Sequence, residues 1–199
     1  YTSPHFDTKR NYFHFLGKAA WRVKNLQGAI DVVLATKDER LQVLGGSRLN
    51  FKMGFRWTLS RRIIFQGMVG GTHKESLLNG SRGLIFPVRW HEPFGLAIIE
   101  SLYYGCPVFG TPYGALPELV NQEVGFLSSS ASSITEALSH VESFSKIRCH
   151  EYARDKFSAL QMAHSYLVYY ERILNGECLN PSAPASYTNV LTEMLPWDK

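Results

Sequence analysis

Short apolar runs alternate with longer stretches of helical period along most of this chain. Tyr12, Phe13, Phe15 and Leu16 form the first run and predict a buried strand over residues 11–16. Residues 25–36 place Leu26, Ile30, Val33 and Leu34 on one side, the pattern of a helix. A second strand is expected over 41–46, closing on Gly45-Gly46, whereas 47–60 shows no clear period. A third strand follows over 63–67, then a glycine turn at Gly70-Gly71 and a short helix over 73–78. Residues 83–87 form a fourth strand that runs directly into a helical stretch over 94–104, with Leu96, Ile99 and Tyr103 on one face. Residues 107–110 read as a fifth strand, 118–120 as the end of a brief helix and 124–127 as a sixth strand. Helices are expected over 133–141 and over 145–174, the latter broken in its middle, with Gly176 as the stop.

Strands alternating with helices imply an α/β domain, a Rossmann-like parallel sheet covered by helices on both faces. Such sheets bind ligands beyond the carboxyl ends of their strands. Lys18, Gly67 and Glu92 all follow strands on that edge. Residues 1–10 are polar and read as a linker, 11–176 as the domain, and 177–199 as an irregular tail with Pro181, Pro184 and Pro196. Leu191, Met194, Leu195 and Trp197 could anchor that tail. No internal repeat or low-complexity segment interrupts the pattern.

Composition narrows the classes. A chain of 199 residues that is 45% hydrophobic and 13% aromatic can bury a full core, and 19% charged residues argue against disorder. The net charge of +4 is spread out, with no Lys/Arg-rich run, so no nucleic-acid partner is expected. The excess cation suits an anionic ligand or a membrane surface as well as an ordinary solvated surface. Cys106, Cys149 and Cys178 are odd in number and lack C-x-x-C spacing, which fits a reducing cytoplasm and argues against a disulfide framework or a zinc site. No signal peptide opens the chain and no run approaches a membrane span. The first residue is Tyr1, not Met, so a fragment of something longer is expected.

The stretch PVRWHEPFGLAIIESLYYGCPVFGTPYGALPELV, residues 87–120, carries the chemistry. Glu92 and Glu100 have seven residues between them in an E-x7-E pattern. Pro93 suits the first turn of a helix, so Glu92 is expected at or just before the helix start, where free N–H groups gather. Glu100 would then lie about 12 Å further along the axis. A polar group at each end and an anion-binding terminus nearby would suit an extended ligand with negative charge in its middle, the layout of a nucleotide sugar. On residue chemistry alone, Glu92 also fits a carboxylate favoured by the helix dipole, and Glu100 an ion-paired helix residue. Set within AIIESLYY, Glu100 is expected to be partly buried and partnered.

Filled in as EPFGLAIIE and continued by Gly105-Cys106-Pro107-Val108 and Gly114-Ala115-Leu116-Pro117-Glu118-Leu119-Val120, the pattern resembles the donor site of retaining GT-B glycosyltransferases, family 4 in particular. The similarity runs from about Tyr12 to Gly176. It implies that the chain is the C-terminal half of a GT-B fold, transferring a sugar (of the hexosyl type) from a nucleotide-diphosphate donor to a saccharide or lipid-linked acceptor. It further implies catalytic roles for Glu92, Lys18 and Lys24, and donor contacts from Gly17, Gly67, Phe94, Gly95, Leu96 and Glu100. Glu92 would meet the donor sugar and Glu100 the ribose hydroxyls.

Two departures stand out. The family usually carries Gly-Arg after the first strand and Lys-Gly shortly after; here Gly17-Lys18 and Lys24-Asn25 take those places. Arg22 competes with Lys24, and His91 fits either a general acid/base or a pocket wall. There is no D-x-D, so no metal is expected, and no cofactor; Lys18, Lys24 and the amides near Gly95 and Leu96 would stabilise the leaving diphosphate. The lack of G-x-G-x-x-G disfavours a nicotinamide dehydrogenase. The resemblance implies an N-terminal GT-B domain as partner, in the same or a separate chain, against which the apolar face near Tyr166–Leu174 would pack. It also implies polysaccharide or glycolipid assembly at the cytoplasmic face of a membrane, with peripheral contact. The alternatives are a non-catalytic sugar-nucleotide-binding subunit and a GT-B-fold sugar-nucleotide epimerase.

Overall fold

Six strands form one sheet: β1 (Tyr12–Leu16), β2 (Leu41–Leu44), β3 (Ile63–Phe65), β4 (Ser81–Phe86), β5 (Val108–Gly110) and β6 (Gly125–Leu127). Their order is β3-β2-β1-β4-β5-β6 and every neighbouring pair is parallel. The computed structural model describes residues 2–48, 58–183, 185 and 193–198; the aperiodic stretch 47–60 lies mostly outside them. The chain leaves β3 at one edge and re-enters the sheet at β4 beside β1. The strand order therefore reverses between β1 and β4, and this reversal opens a crevice at their carboxyl ends.

Alternation along the strands sends side chains to two packed layers. Phe13 and Phe15 of β1, Ile85 of β4 and Phe109 of β5 meet α1 (Leu26–Ala35) and α5 (Ala131–Ser139) through Ile30, Val33, Ile134 and Leu138. On the other face Leu84, Phe86 and Val108 meet α3 (Leu96–Tyr103), α4 (Leu116–Leu119) and α6 (Lys146–Phe157). A smaller cluster places Leu78 of α2 (Gly71–Asn79) against Leu44, Tyr104 and Cys106. The chain is thus an α/β, Rossmann-like domain with helices on both faces, as its apolar periodicity predicts. Cys106 and Cys149 are buried free thiols and Cys178 is exposed; burial pushes the first two up to about 11 and about 12.

His14 lies between the two phenylalanines of β1 and faces α3, fully buried. Its Nδ1 stands 2.7 Å from Ser81 Oγ and its Nε2 stands 2.8 Å from Ser101 Oγ. Ser101 gives its hydroxyl proton to the Ala97 carbonyl at 2.7 Å, so it accepts from His14 Nε2–H, and Ser81 donates to Nδ1. The ring is therefore a neutral link between β1, β4 and α3. Burial, and secondarily the Arg10 guanidinium, push its pKa down to about 3. Arg10 in turn caps the carbonyls of Ser81, Tyr104 and Gly105.

The boundary that bears most on the site differs from the sequence expectation. The helix after β4 starts at Leu96, not Phe94, because Gly95 takes a left-handed φ of 94° and serves as its N-cap. Pro93 is consequently outside the first turn, and Glu92 sits in the loop just before the helix, three residues ahead of the cap. The axis distance inferred for the two carboxylates does not apply. The helix also presents Ile98, Ser101 and Leu102 to the core, whereas Leu96 is 70% exposed; the later start rotates the buried face. The long helix is broken in its middle, as expected, at Ser158, which N-caps α7 (Ala159–Leu174) through its side chain. No residue of α7 is buried. Residues 2–10 form no element but dock on the body through Thr2 to Glu75, His5 to Asn79 and Arg10. Among the described residues no helix is long and apolar enough to cross a membrane.

Candidate functional site

The crevice at the β1/β4 reversal is an open cavity of about 530 Å³. Its walls come from the loops after β1 and β4 and from the start of α3. Of the residues singled out in the sequence, Gly17, Lys18, Lys24, Glu92, Phe94, Gly95, Leu96 and Glu100 all line it. Gly67 does not. It stands two strands away after β3, where its carbonyl accepts from the Gly45 and Gly46 amides.

A short 3-10 turn, Arg22–Lys24, aims Lys24 into the crevice. Asn25 ends this turn at φ 52° and ψ 47°, and its Oδ1 accepts from the Gly28 amide as the N-cap of α1. Among the described residues it is the one non-glycine with positive φ. Asparagine tolerates that region better than other side chains and caps a helix besides, which explains how it can replace the family's glycine. Lys24 Nζ reaches Glu92 Oε2 at 2.5 Å, with both side chains nearly out of solvent. Its ammonium also lies 4.9 Å from the Trp90 ring centre and 5.1 Å from that of Phe86. Trp90 Nε1 donates to the same Glu92 oxygen at 2.8 Å. Glu92 is thereby held at one oxygen by two donors.

Glu100 lies one helix further on, half-buried, with Oε1 2.9 Å from Lys74 Nζ of α2. The crevice is therefore bounded by two carboxylate–ammonium pairs, Lys24–Glu92 and Lys74–Glu100. Between them Gly95 offers no side-chain cap to the first turn of α3, so its amides suit an external acceptor. Lys18 is exposed, 5.2 Å from the Trp21 ring centre, and makes no ion pair among the described residues. Trp21 stands edge-on to Trp90 at 6.4 Å. Arg22 and His91 are exposed and line no part of the cavity. Among the described residues no group of three or more His, Cys, Asp or Glu is placed to hold a metal ion.

Residues 10–143 match the family model described as glycosyl transferases group 1. This chain belongs to that family. A group 1 glycosyl transferase reading also fits the relatives. The chain is 30% identical over 116 residues to an uncharacterised 41.2 kDa protein in the cps region of Klebsiella pneumoniae, covering 55% of this chain and 32% of that one. It is 24% identical over 119 residues to an uncharacterised glycosyltransferase of Methanocaldococcus jannaschii, covering 55% and 29%. It thus spans about a third of the length of these curated relatives. Its fold matches sucrose-phosphate synthase of Thermosynechococcus elongatus (TM-score 0.70, 17% identity, 84% of this chain and 46% of that one). It likewise matches a glycosyltransferase of avilamycin A biosynthesis (TM-score 0.70, 20% identity, 85% and 53%). Anabaena HepE, solved with UDP and glucose, matches at a TM-score of 0.64 and 15% identity over 82% and 48%.

Within this group 1 domain, Lys74 has no sequence signal of its own; it is a lone lysine of α2, and only the fold brings it to Glu100. Gly114 belongs to the GALPELV run, which points to the family but not to a contact with Glu92. With φ 63°, it packs so close to the Glu92 loop that an added Cβ would stand 2.3 Å from Glu92 N and 2.4 Å from Glu92 O. Beside it the Ala115 amide donates to the Glu92 carbonyl at 2.9 Å. Gly114→Ala is expected to destabilise the domain by about 2 kcal/mol in urea unfolding, because a left-handed alanine and a backbone overlap coincide. Gly67→Ala, with a left-handed φ but nothing within 4 Å of the added Cβ, is expected to cost about half as much.

Proposed function

We propose that this chain is the donor-binding, C-terminal half of a retaining GT-B glycosyltransferase that takes a nucleotide-diphosphate sugar in the β1/β4 crevice. The observation that carries the proposal is the pair of ion-paired carboxylates, Glu92 with Lys24 and Glu100 with Lys74, flanking the uncapped first turn of α3. A vicinal diol can donate to Glu100, so ribose sits there. The sugar hydroxyls meet Glu92. The diphosphate lies between, against Lys18, Lys24 and the amides of Leu96 and Ala97.

As the glycosidic bond breaks, negative charge grows on the diphosphate leaving group. Fixed donors that meet this charge favour the transition state over the ground state. Lys24 can serve two acceptors, since its ammonium has three protons and Glu92 takes one. The donors for the leaving group are all side chains and amides of the chain, so no divalent cation enters the proposal. The acceptor, a saccharide or a lipid-linked one, approaches from an N-terminal domain outside this sequence. The unburied apolar face of α7, with Tyr166, Leu167, Tyr170 and Ile173 about half exposed, is the surface that such a domain would cover. A cytoplasmic setting, at a membrane face, belongs to the same proposal.

Calorimetric titration with UDP, GDP, ADP and their sugar conjugates, with chelator present, tests the site. Saturable binding of one base is expected, weakened about 10- to 100-fold by Glu100→Ala through the loss of charge-assisted hydrogen bonds. Absence of binding by the folded domain, or binding that chelator abolishes, would overturn the respective part of the reading.

A further inference from the structure

The segment 194–198 returns to the carboxyl edge of the sheet after the solvent-exposed α7. It does not enter the crevice, since no residue of it lines the cavity. Instead it bonds to three loops at this edge, adding to the direct Ala115-to-Glu92 bond between two of them. At the loop after β4, the Leu195 amide donates to the Arg89 carbonyl at 2.9 Å. Arg89 Nε returns a bond to the Leu195 carbonyl at 2.7 Å. At the loop after β5, Tyr113 Oη donates to the Pro196 carbonyl at 2.8 Å. At the loop after β6, the Asp198 amide donates to Ser129 O at 2.9 Å and the Ala131 amide donates to Asp198 O at 2.7 Å.

Trp197 is the anchor. Its indole packs into the core layer between α1 and α5, so close to α1 that a Cβ on Gly28 would stand 2.9 Å from its Cε2. The buried Nε1 has no hydrogen-bond partner among the described residues, so the ring is held by apolar packing alone. Two of the points the segment touches, Arg89 and Tyr113, adjoin the Glu92 loop. Arg89 stands three residues before it, and the Arg89 amide also donates to Val23 O, at 2.7 Å, beside Lys24. Tyr113 precedes Gly114, which abuts the Glu92 backbone.

We infer that residues 194–198 act as a positioning strap, fixing the loops after β4 and β5 so that Glu92 and Lys24 stay paired at the crevice. The strap contacts no ligand site itself; it acts through Arg89, Tyr113 and Trp197. Its effect on donor affinity rests on the function proposed above, whereas its hold on the loops does not.

Hydrogen-exchange mass spectrometry of the unliganded chain separates the two. The amides of Arg89 and Ala115 are bonded to Val23 and Glu92, not to the strap. Trp197→Ala is expected to raise exchange about tenfold in peptides covering residues 88–95 and 112–116, with β1 and β4 unchanged, as in a local opening. Trp197→Phe, which keeps the packing and removes an unpartnered donor, is expected to restore protection. Loop exchange that stays at the wild-type rate while 193–198 opens would overturn the strap. So would a uniform rise across the whole sheet, which marks a residue needed only for global stability. Faster loop exchange in a chain whose wild type binds no nucleotide sugar supports the strap and overturns the proposed function instead.

Discussion

Acidification from pH 6.5 to pH 4 is expected to remove about 3 kcal/mol of folding stability through His14 alone. The ring is neutral in the fold down to about 3, whereas in the unfolded chain it takes a proton near 6.5. The sign follows from proton uptake. Between these two values the unfolded state binds more protons than the folded one, so stability falls as pH falls and levels off below the lower value. Above pH 6.5 both states are neutral and the contribution is complete. The cause is geometric: an imidazolium at this position would be fully buried, away from water, and would lie in the field of the Arg10 guanidinium. Urea unfolding at several pH values checks it against His14→Gln, which keeps a polar side chain but does not titrate. The variant is expected to start less stable at neutral pH and to show a shallower slope between pH 6.5 and 4. Parallel slopes in the two proteins would assign the acid sensitivity to the carboxylates.

The second large effect is expected at Glu92. Glu92→Gln leaves the Lys24 ammonium almost out of solvent without its counter-charge, and should cost about 3 kcal/mol in stability. Lys24→Met leaves a buried carboxylate with Trp90 as its remaining donor and should cost a similar amount. The double variant has no orphaned charge, so it is expected to recover about 1–2 kcal/mol relative to the sum of the singles. Denaturant titration of the four proteins reads this coupling without any substrate. In a full-length protein that turns over, Glu92→Gln is also expected to lower kcat/KM about 10²- to 10³-fold, the scale for losing one oriented electrostatic contact. Turnover that survived would remove Glu92 from the proposed chemistry, even with the coupling intact.

The sheet was legible because its strands are short apolar runs separated by glycines and by helical periods. Phe13 and Phe15, Leu41 and Val43, and Leu84 and Phe86 are unambiguous in that respect. The start of α3 was not legible, because Pro93 and Gly95 send opposing signals two residues apart. Proline suits a first turn, but the left-handed glycine behind it decides where the helix can begin. Once the start moved, the face moved, and Leu96 turned to solvent. At the site, the residues that follow β1 and β4 came together as strand order implies, whereas Gly67 follows β3 and lies beyond β2. Lys74 could not be read, since a lone lysine on a polar helix has no pattern to betray its partner. The proline-containing tail showed apolar residues at 194, 195 and 197 but gave no indication of the loops they bind. Those bonds run mostly through backbone atoms, which carry no sequence identity.

The pairing of β1 with β4 at the centre of the sheet governs how the chain can be made. Tyr12 aligns with Ser81, so the inner edge of β1 has no neighbour until the sixty-odd residues between them have been synthesised. At ribosomal speeds of about 5–20 residues per second, that leaves β1 with an open apolar edge for about 3–15 s. Parallel strands cannot close this interval with a local hairpin. Holdase chaperones that bind apolar strands therefore have their natural window here, before β4 emerges. A synonymous codon change that slows translation between β3 and β4 should lower soluble yield more than the same delay placed after β6.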